Sequence, residues 1–308
     1  MDSKMAFYIV KRLLLAVLTV FLIITITFFV MKAIPGGPFL SEKAPSPAVT
    51  AMLEAKYGLD KPIMEQYTTY LKGVLTLDFG PSIKQRGRDV MDLITEGFGV
   101  SAKLGGSAAA LAIVIGLVLG ALAAVFHNKW VDKLIMVTST ASVAMPSFVI
   151  ATLLLYFFCM KFQLLPANGQ SAAGLVLPII SLSLYPMSYI TRLTRSSMLD
   201  VLGQDYIRTA NAKGVSPSRV LFKHALKNAV TPVITYAGPM IAYILTGSLV
   251  VERIFAVPGL GKYFVSSIIN RDYPMVMGTT IFLACLMVIM TLVSDILYKV
   301  FDPRVDLS

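Results

Sequence analysis

Six long apolar stretches run through this chain of 308 residues and constrain its fold more than any other feature. They cover residues 13–34, 102–126, 134–160, 175–190, 229–251 and 275–300. A helix needs about 20 mostly apolar residues to cross the hydrocarbon core of a bilayer, so only the fourth stretch is marginal. Pro178 and Pro186 predict a kink there, which is tolerated where neighbouring helices or hydroxyl side chains satisfy the freed carbonyl groups. The stretches predict about six transmembrane helices.

Composition excludes a soluble fold. Hydrophobic residues make up 56% of the chain and charged residues 14%, whereas an average soluble domain has about 25% charged residues. In water, the apolar stretches would leave exposed patches much larger than a soluble monomer tolerates. We therefore predict an all-α integral membrane protein, in which residues 1–308 form a single transmembrane domain and membrane lipid is the surrounding partner.

The first apolar stretch is interpreted as a retained helix. Lys11 and Arg12 precede it, as basic residues precede the core of a signal peptide. The apolar run is too long for the core of a cleaved signal, and no convincing Ala-x-Ala cleavage site follows it. We expect it to stay as the first transmembrane helix.

The formal net charge of +10 raises the question of nucleic acid binding, which the placement of Lys and Arg answers. These residues lie mostly between the apolar stretches, as expected when positive loops are retained on the cytoplasmic side of a membrane. We therefore predict no nucleic acid partner. Segment 191–228 holds seven of them against two acidic residues: Arg192, Arg195, Arg208, Lys213, Arg219, Lys223 and Lys227, with Asp200 and Asp205.

This charge placement also predicts the orientation of the chain. Segment 191–228 is predicted to be cytoplasmic. With six helices, residues 127–133 and both termini lie on the same side. The outer face is then formed by residues 35–101, 161–174 and 252–274.

The outer segment 35–101 is predicted to fold into small helices. Ser46 and Pro47 form an N-cap followed by proline at the first helical position, and Gly58 supplies the stop. A second helix is predicted from Pro62. The apolar residues that share a face are Val49, Met52, Leu53 and Tyr57 in the first helix, and Ile63, Tyr67, Tyr70, Leu71 and Val74 in the second. Contact with a binding protein and a plain surface subdomain both remain open for this segment.

A row of small residues marks the second transmembrane helix. Gly116, Gly120 and Ala124 recur every four residues and therefore share one helix face. Small side chains let two helix backbones approach closely in a membrane. The row predicts tight helix packing rather than a ligand site.

The sequence offers no catalytic or metal-binding set. His127 and His224 are the two histidines, both at predicted cytoplasmic borders, and no His-Glu-x-x-His motif occurs. Cys159 and Cys285 lie inside apolar stretches, so we predict neither a disulfide nor a metal ligand. A membrane enzyme or an assembly scaffold is accordingly the least favoured reading.

A glycine-rich turn near residue 260 does not make a nucleotide site. Gly259, Gly261 and Lys262 resemble part of a phosphate-binding loop. Ala256 occupies the place of its first glycine, however, and Tyr263 the place of the residue that would hold magnesium. If transport is driven by ATP, the ATPase is another polypeptide.

Ion-driven transport is the main alternative. Such transporters usually place charged residues at mid-membrane, where they couple ion and substrate movement. Asp295 is the one candidate, and it precedes Lys299 by one helical turn, which favours a simple ion pair near the interface. A secondary transporter or channel that acts without an ATPase is therefore the alternative hypothesis.

Segment 205–228 is predicted to form a compact knob. A short helix from Asp205 ends at Gly214, then Ser216 caps a second helix that begins at Pro217. Taken alone, its charges describe a solvated inner face. In a membrane protein without a motor of its own, an ordered loop of this kind also suggests a place where a partner applies force.

Motifs along most of the chain resemble those of ABC importer permeases. The knob is similar to their EAA-type coupling loop, in the version of the oligopeptide, dipeptide and nickel branch, and the chain resembles the B-type subunit of oligopeptide permeases. Two departures from the general pattern are Arg208-Thr209-Ala210 in place of Glu-Ala-Ala, and Lys227 in place of proline. The motifs are Tyr206-Ile207-Arg208-Thr209-Ala210 with Ala212-Lys213-Gly214, His224-Ala225-Leu226 with Asn228-Ala229 and Pro232, Pro35-Gly36-Gly37-Pro38, Val251-Glu252 with Phe255 and Pro258-Gly259-Leu260-Gly261, Arg271-Asp272-Tyr273-Pro274, and Asp302-Pro303-Arg304.

The resemblance implies a type I importer architecture and a multi-pass location in the bacterial plasma membrane. It further implies a second related permease subunit, two cytoplasmic ATPases that use ATP and Mg, an extracellular or periplasmic peptide-binding protein, and alternating access. No cofactor is expected on this chain. Oligopeptides are the favoured substrate, with dipeptide, glutathione, nickel and some sugars open. The residues expected to couple to the ATPases are Asp205, Tyr206, Arg208, Thr209, Ala210, Ala212, Lys213, Gly214, Val215, Ser216 and Pro217.

Overall fold

The regular secondary structure of the described residues is helical, apart from one isolated β-bridge between Pro81 and Asp89. A computed structural model describes residues 3–35, 37–39, 46–247 and 249–301. Within them, five helices are long and apolar enough to cross a membrane, or six if one bent pair is a single span. The prediction of an all-α membrane protein with about six spans is confirmed.

Fourteen α-helices lie in these residues, together with π-helical turns at Leu155–Lys161 and Val220–Leu226 and a 3₁₀ turn at Ala173–Leu175. In chain order they are α1 (Ser3–Ala33), α2 (Pro47–Lys56), α3 (Ile63–Thr76), α4 (Val90–Val125), α5 (Trp130–Ala144), α6 (Ser147–Leu154), α7 (Val176–Leu202), α8 (Asp205–Ala212), α9 (Pro217–Arg219), α10 (Lys227–Ala229), α11 (Thr231–Gly247), α12 (Leu249–Ile254), α13 (Leu260–Ile269) and α14 (Tyr273–Phe301).

Five of the six predicted spans appear as continuous apolar segments. The marginal fourth stretch is among them, because its helix runs on through Leu202 and is longer than its apolar core, with Pro186 inside. Lys299, the predicted partner of Asp295, and the terminal Asp302-Pro303-Arg304 motif lie outside the described side chains, and Gly36 lies outside the described residues. The spans are Val10–Ala33, Val90–Val125, Ala173–Leu202, Thr231–Ile254 and Tyr273–Val293.

The third stretch, 134–160, is not one helix, and that prediction is wrong. The chain bends by 105° between Trp130–Ala144 and Ser147–Lys161. Met145 is extended, with ψ of 128°, and Pro146 occupies the N-cap position of α6. A residue before proline is pushed out of the helical region, so Pro146 accounts for the break.

The fifth span continues past its predicted end at residue 251. It reaches Ile254, so Glu252 lies inside the span rather than in an outer loop. Its side chain is fully buried and accepts a hydrogen bond of 2.7 Å from the Ser101 hydroxyl. Burying a carboxylate costs free energy unless it is hydrogen-bonded. The Ser101–Glu252 bond therefore stabilises the packing of α4 against α12.

The chain divides into two compact units. The first comprises Met1–Val100 and Pro258–Val288, and the second comprises Ser101–Val257 and Ile289–Ser308. In the first unit, the start of α4 packs on α13 and α14 through a buried apolar cluster. Its members are Val90, Leu93, Ile94, Leu260 and Met275.

Asp272 ties the loop before α4 to the start of α14 in the first unit. Its buried carboxylate accepts hydrogen bonds from the Ser82 hydroxyl, from the backbone N–H of Ile83 at 3.2 Å and from that of Lys84 at 3.3 Å. The neighbouring Arg271 donates to the carbonyl of Pro35 at 2.9 Å. The Arg271-Asp272 motif therefore fixes two loops at once.

The outer helices form near the predicted positions. α2 begins at Pro47 and Gly58 follows its end with a φ of +64°, but the Ser46 side chain makes no cap hydrogen bond. The apolar face of α2 is mostly exposed, with no buried residue. In α3, Tyr67 and Tyr70 pack on Phe28 of α1, with ring centroids 5.3 and 5.5 Å apart.

In the second unit, α4 and α7 meet at the predicted small residues. A Cβ added to Gly116 would lie 2.8 Å from Ile190, and one added to Gly120 would lie 2.6 Å from the carbonyl oxygen of Thr191. Ala124 lies further along α4 and is buried in another apolar cluster. Two helix backbones approach here because neither glycine carries a side chain.

Candidate coupling site

The turn after α8 has the geometry of a Schellman motif. Gly214 has a φ of +74°, and its N–H donates to the carbonyl of Asn211 at 3.0 Å. The N–H of Val215 donates to the carbonyl of Ala210 at 3.2 Å. These two bonds satisfy the last carbonyls of the helix and reverse the chain sharply, which is the turn that the sequence predicted at Gly214.

The second limb of the knob begins at Pro217, as predicted. It continues as α9, the π-helical turn Val220–Leu226 and α10. Ser216 occupies the N-cap position, but its side chain makes no cap hydrogen bond, so that part of the prediction is wrong. The Ser216 carbonyl accepts the first bond of the limb, from Val220 N–H at 3.0 Å.

The two limbs share one apolar core. Ala210 is buried in it, and Val215 packs against its edge. These two residues of the predicted coupling set therefore hold the knob together and do not present their side chains to a partner. The buried members of the core are Ala124, Met198, Ile207, Ala210, Val220, Ala225 and Ala229.

The remaining residues of the predicted coupling set face outward. The Tyr206 hydroxyl accepts a hydrogen bond of 3.0 Å from the amide nitrogen of Asn228, which joins the two limbs. Asp205 and Arg208 lie 3.6 Å apart on open surface, where such a pair contributes little. The exposed residues are Asp205, Tyr206, Arg208, Thr209, Ala212, Lys213, Gly214, Ser216 and Pro217.

Two features of this region were not found from sequence. Phe222 projects its ring from the second limb and is exposed, although the apolar pair Leu221-Phe222 gave no signal of which side chain would face out. Ile207 lies between predicted coupling residues but is buried in the core. An exposed aromatic ring beside Lys223 is a suitable anchor for a protein partner.

An ion pair anchors α7 above the knob. Arg195 donates to both carboxylate oxygens of Asp132, from Nε at 2.6 Å and from a terminal nitrogen at 2.7 Å. Asp132 is buried and also accepts from the Asn128 N–H at 2.9 Å, while His127 lies 3.5 Å away. A bidentate pair of this kind fixes orientation as well as distance. It therefore holds α7, which leads directly into α8, against the start of α5.

Asp132→Ala is expected to lower the free energy of unfolding by about 2 kcal/mol, because it leaves the Arg195 guanidinium largely buried without its carboxylate. Glu65→Ala is the matched control, since it removes the Lys61 partner in an exposed pair and should change stability by less than about 0.5 kcal/mol. Thermal unfolding of the two purified variants in detergent measures both. Equal losses would show that the Asp132–Arg195 pair does not anchor α7.

The cysteine, histidine and acidic side chains were compared across the part of the chain that the structure describes. No group of three His, Cys, Asp or Glu side chains there could hold a metal ion. Cys159 and Cys285 are both free thiols. The site is a mostly polar protrusion whose turn is closed by two backbone hydrogen bonds.

Comparisons with known proteins agree with this architecture. Structures of ABC transporters share the fold: the inward-facing MetNI methionine ABC transporter matches with a TM-score of 0.55 at 17% identity, over 68% of this chain and 97% of that chain. An amino acid ABC transporter with histidines matches with a TM-score of 0.52 at 18% identity, over 70% and 94%. The fold is thus that of an ABC transporter permease.

Family models and close relatives sharpen the assignment. The model "Binding-protein-dependent transport system inner membrane component" matches residues 116–307, and "Binding-prot-dependent transport system membrane comp, N-term" matches residues 5–90. The chain is 48% identical to the dipeptide transport system permease protein DppB of Bacillus subtilis over 304 residues, covering 98% of this chain and 99% of that protein. It is 45% identical to the oligopeptide transport system permease protein OppB of Haemophilus influenzae, over 97% and 98%.

The chain belongs to the family of binding-protein-dependent transport system inner membrane components. The resemblance to ABC importer permeases that its motifs suggested is confirmed. It is a multi-pass membrane protein and a permease subunit of the ABC importer type.

Proposed function

We propose that this chain is one membrane-spanning subunit of an ATP-driven importer of oligopeptides and dipeptides. The observation that carries the proposal is the knob formed by segment 205–228, which has a shared apolar core, a mostly polar outer surface and a direct connection to a transmembrane helix. Relatives that match almost the whole chain are named as dipeptide and oligopeptide transport permeases, which supports peptides as the substrate class.

In this proposal the chain supplies the pathway and other polypeptides supply the energy. Two cytoplasmic ATPases bind ATP and Mg and grip the exposed side of the knob, while a second related permease completes the membrane part. A binding protein delivers the peptide from outside. Both termini and segment 191–228 then lie in the cytoplasm, as the charge placement predicts.

The mechanism follows from the stiffness of the knob. When ATP binding closes the ATPase dimer, the two limbs move as one body because they share a buried core and the Tyr206–Asn228 bond. α7 receives this motion directly, since only Gly203 and Gln204 separate it from α8. The Asp132–Arg195 pair carries the motion to α5, and the spans change from an inward-facing to an outward-facing arrangement.

Isolation of the native complex tests the proposal. We expect two ATPases and a second permease to copurify with the tagged chain from its own membrane, and the complex to take up a radiolabelled tripeptide into proteoliposomes only with ATP and the binding protein. Uptake by the purified chain alone, driven by an ion gradient, would contradict the proposal and support a secondary transporter.

A further inference from the structure

Four tyrosines form a cluster on α7 and α11 in the second unit. The rings of Tyr189 and Tyr236 have centroids 4.3 Å apart. Tyr185 lies one turn before Tyr189 on the same face of α7, and Tyr243 lies two turns after Tyr236 on the same face of α11. We refer to Tyr185, Tyr189, Tyr236 and Tyr243 as the tyrosine cluster. Its outer members are well exposed: Tyr185 by 44%, Tyr189 by 39% and Tyr243 by 67%.

The depth of Tyr243 is unusual for tyrosine. Tyrosine in membrane proteins concentrates at the two water interfaces, where its ring is apolar and its hydroxyl is in contact with water. Tyr189 lies next to the segment predicted to be cytoplasmic, which begins at residue 191, whereas Tyr185 lies one turn deeper and Tyr243 lies near the middle of the span Thr231–Ile254. An interfacial belt therefore accounts for Tyr189 but not for Tyr243.

The exposed face of α7 differs from a lipid-facing surface in this same molecule. On α1, the exposed residues through the middle of the span are hydrocarbon at Leu18, Phe21 and Leu22, and the one exposed hydroxyl there, on Thr19, donates to the Leu15 carbonyl of its own helix. On α7, the exposed residues between Leu177 and Ile190 are Tyr185 and Tyr189, and both carry a hydroxyl group. The same helix face continues with the exposed Ser196 and Asp200 into the segment predicted to be cytoplasmic. A face of this composition is suited to water or a polar ligand rather than to acyl chains.

The chemistry of the cluster suits a peptide in transit. A tyrosine hydroxyl both donates and accepts, so it can bond a backbone carbonyl or an N–H of any peptide. The rings offer apolar area to side chains of many shapes, and the segments 185–189 and 236–243 contain no charged residue that would select one sign of charge. Such a surface is suited to bind peptides without selectivity for their sequence.

We infer that the tyrosine cluster lines the translocation path and forms transient hydrogen bonds with the backbone of the passing peptide. The inference rests on the proposed function for the identity of the substrate. Water access to the cluster, in contrast, does not depend on the identity of the substrate, so the two can be tested apart.

Thiol labelling tests water access first. In a chain that carries Cys159→Ala and Cys285→Ala, the variants Tyr185→Cys and Tyr243→Cys are each assembled with the partner subunits and treated with a charged methanethiosulfonate reagent. Leu22→Cys is the matched control, because Leu22 is 47% exposed near the middle of the α1 span. We expect about tenfold faster labelling at the tyrosine positions or more, because the thiolate forms only where water reaches.

The comparison has three informative outcomes. If Tyr185→Cys and Tyr243→Cys react as slowly as Leu22→Cys with and without ATP, the cluster faces lipid and the inference is overturned. Fast labelling that a saturating tripeptide slows supports the inference. Fast labelling in a complex whose wild-type form takes up no peptide would retain the aqueous path but refute the proposed substrate.

Removal of the hydroxyls tests their role. Tyr185→Phe, Tyr189→Phe and Tyr243→Phe keep the rings, so the packing of α7 on α11 should be retained. We expect each hydroxyl that bonds the peptide to contribute about fivefold to the uptake rate in proteoliposomes. Unchanged uptake in the triple variant, at unchanged labelling, would refute hydrogen bonding by the cluster.

Discussion

Gly214→Val is expected to uncouple ATP hydrolysis from peptide uptake while leaving insertion into the membrane intact. Gly214 has a φ of +74°, and nothing lies within 4 Å of a Cβ placed there, so the obstacle to valine is the backbone torsion and not space. The left-handed conformation costs an ordinary residue about 1–2 kcal/mol, and a β-branched residue is a marked outlier in it. The turn would therefore open, and Val215 would leave the core of the knob.

We expect uptake into proteoliposomes to fall about tenfold, which corresponds to about 1.4 kcal/mol, while the ATPases keep hydrolysing ATP. Gly214→Asn should retain most of the uptake, because asparagine tolerates the left-handed conformation. Gly203→Val is the matched control at the other end of α8, where φ is −78° and the nearest atom is 3.5 Å away. Normal uptake by Gly214→Val would show that the coupling site lies elsewhere.

Gly120→Ala is expected to lower the stability of the second unit strongly, although it adds only one methyl group. The added Cβ would lie 2.5 Å from the Cβ of Thr194 and 2.6 Å from the carbonyl oxygen of Thr191. Because one of these atoms belongs to the backbone, relief requires α4 and α7 to separate rather than one side chain to rotate. Overpacking of this kind costs about 3 kcal/mol.

Gly106→Ala provides the control on the same helix. Nothing lies within 4 Å of a Cβ at Gly106, so alanine there should be neutral or stabilise the helix by up to about 1 kcal/mol. The unfolding temperatures of the two purified variants are compared by heating each one and measuring the fraction that remains monodisperse in size-exclusion chromatography. If both unfold at the wild-type temperature, α4 and α7 do not meet closely at Gly120.

The parts of the fold that could be predicted from sequence depend on local signals. The length of the apolar runs predicted five of the six spans correctly. Gly214 and Pro217 predicted the turn and the start of the second limb of the knob. These signals act within a few residues, so a single sequence contains them. The bend at Met145 also has a local cause in Pro146, but the length of the apolar run concealed it.

The parts that could not be predicted depend on residues far apart in the chain. Burial of Glu252 requires Ser101, which lies 151 residues away. The Ala210 side chain points inward and the Phe222 side chain points outward because of the way the two limbs pack on each other. The spacing of apolar residues within either limb does not determine that packing. The tyrosine cluster joins two spans, and the sequence alone gave no indication that α7 and α11 would bring these rings together.

The clamp at Asp272 has a consequence for how the chain is made. Ser82 and Asp272 are separated by 190 residues, so the hydroxyl and the two backbone N–H groups of the loop before α4 are synthesised long before their acceptor. At about 5–20 residues per second, the interval is roughly 10–40 s. During that time the loop has no Asp272 to bond, and a chain that ends before residue 272 never acquires one. Closure of a loop near the beginning of the chain is thereby linked to synthesis of the residue that leads into the final span.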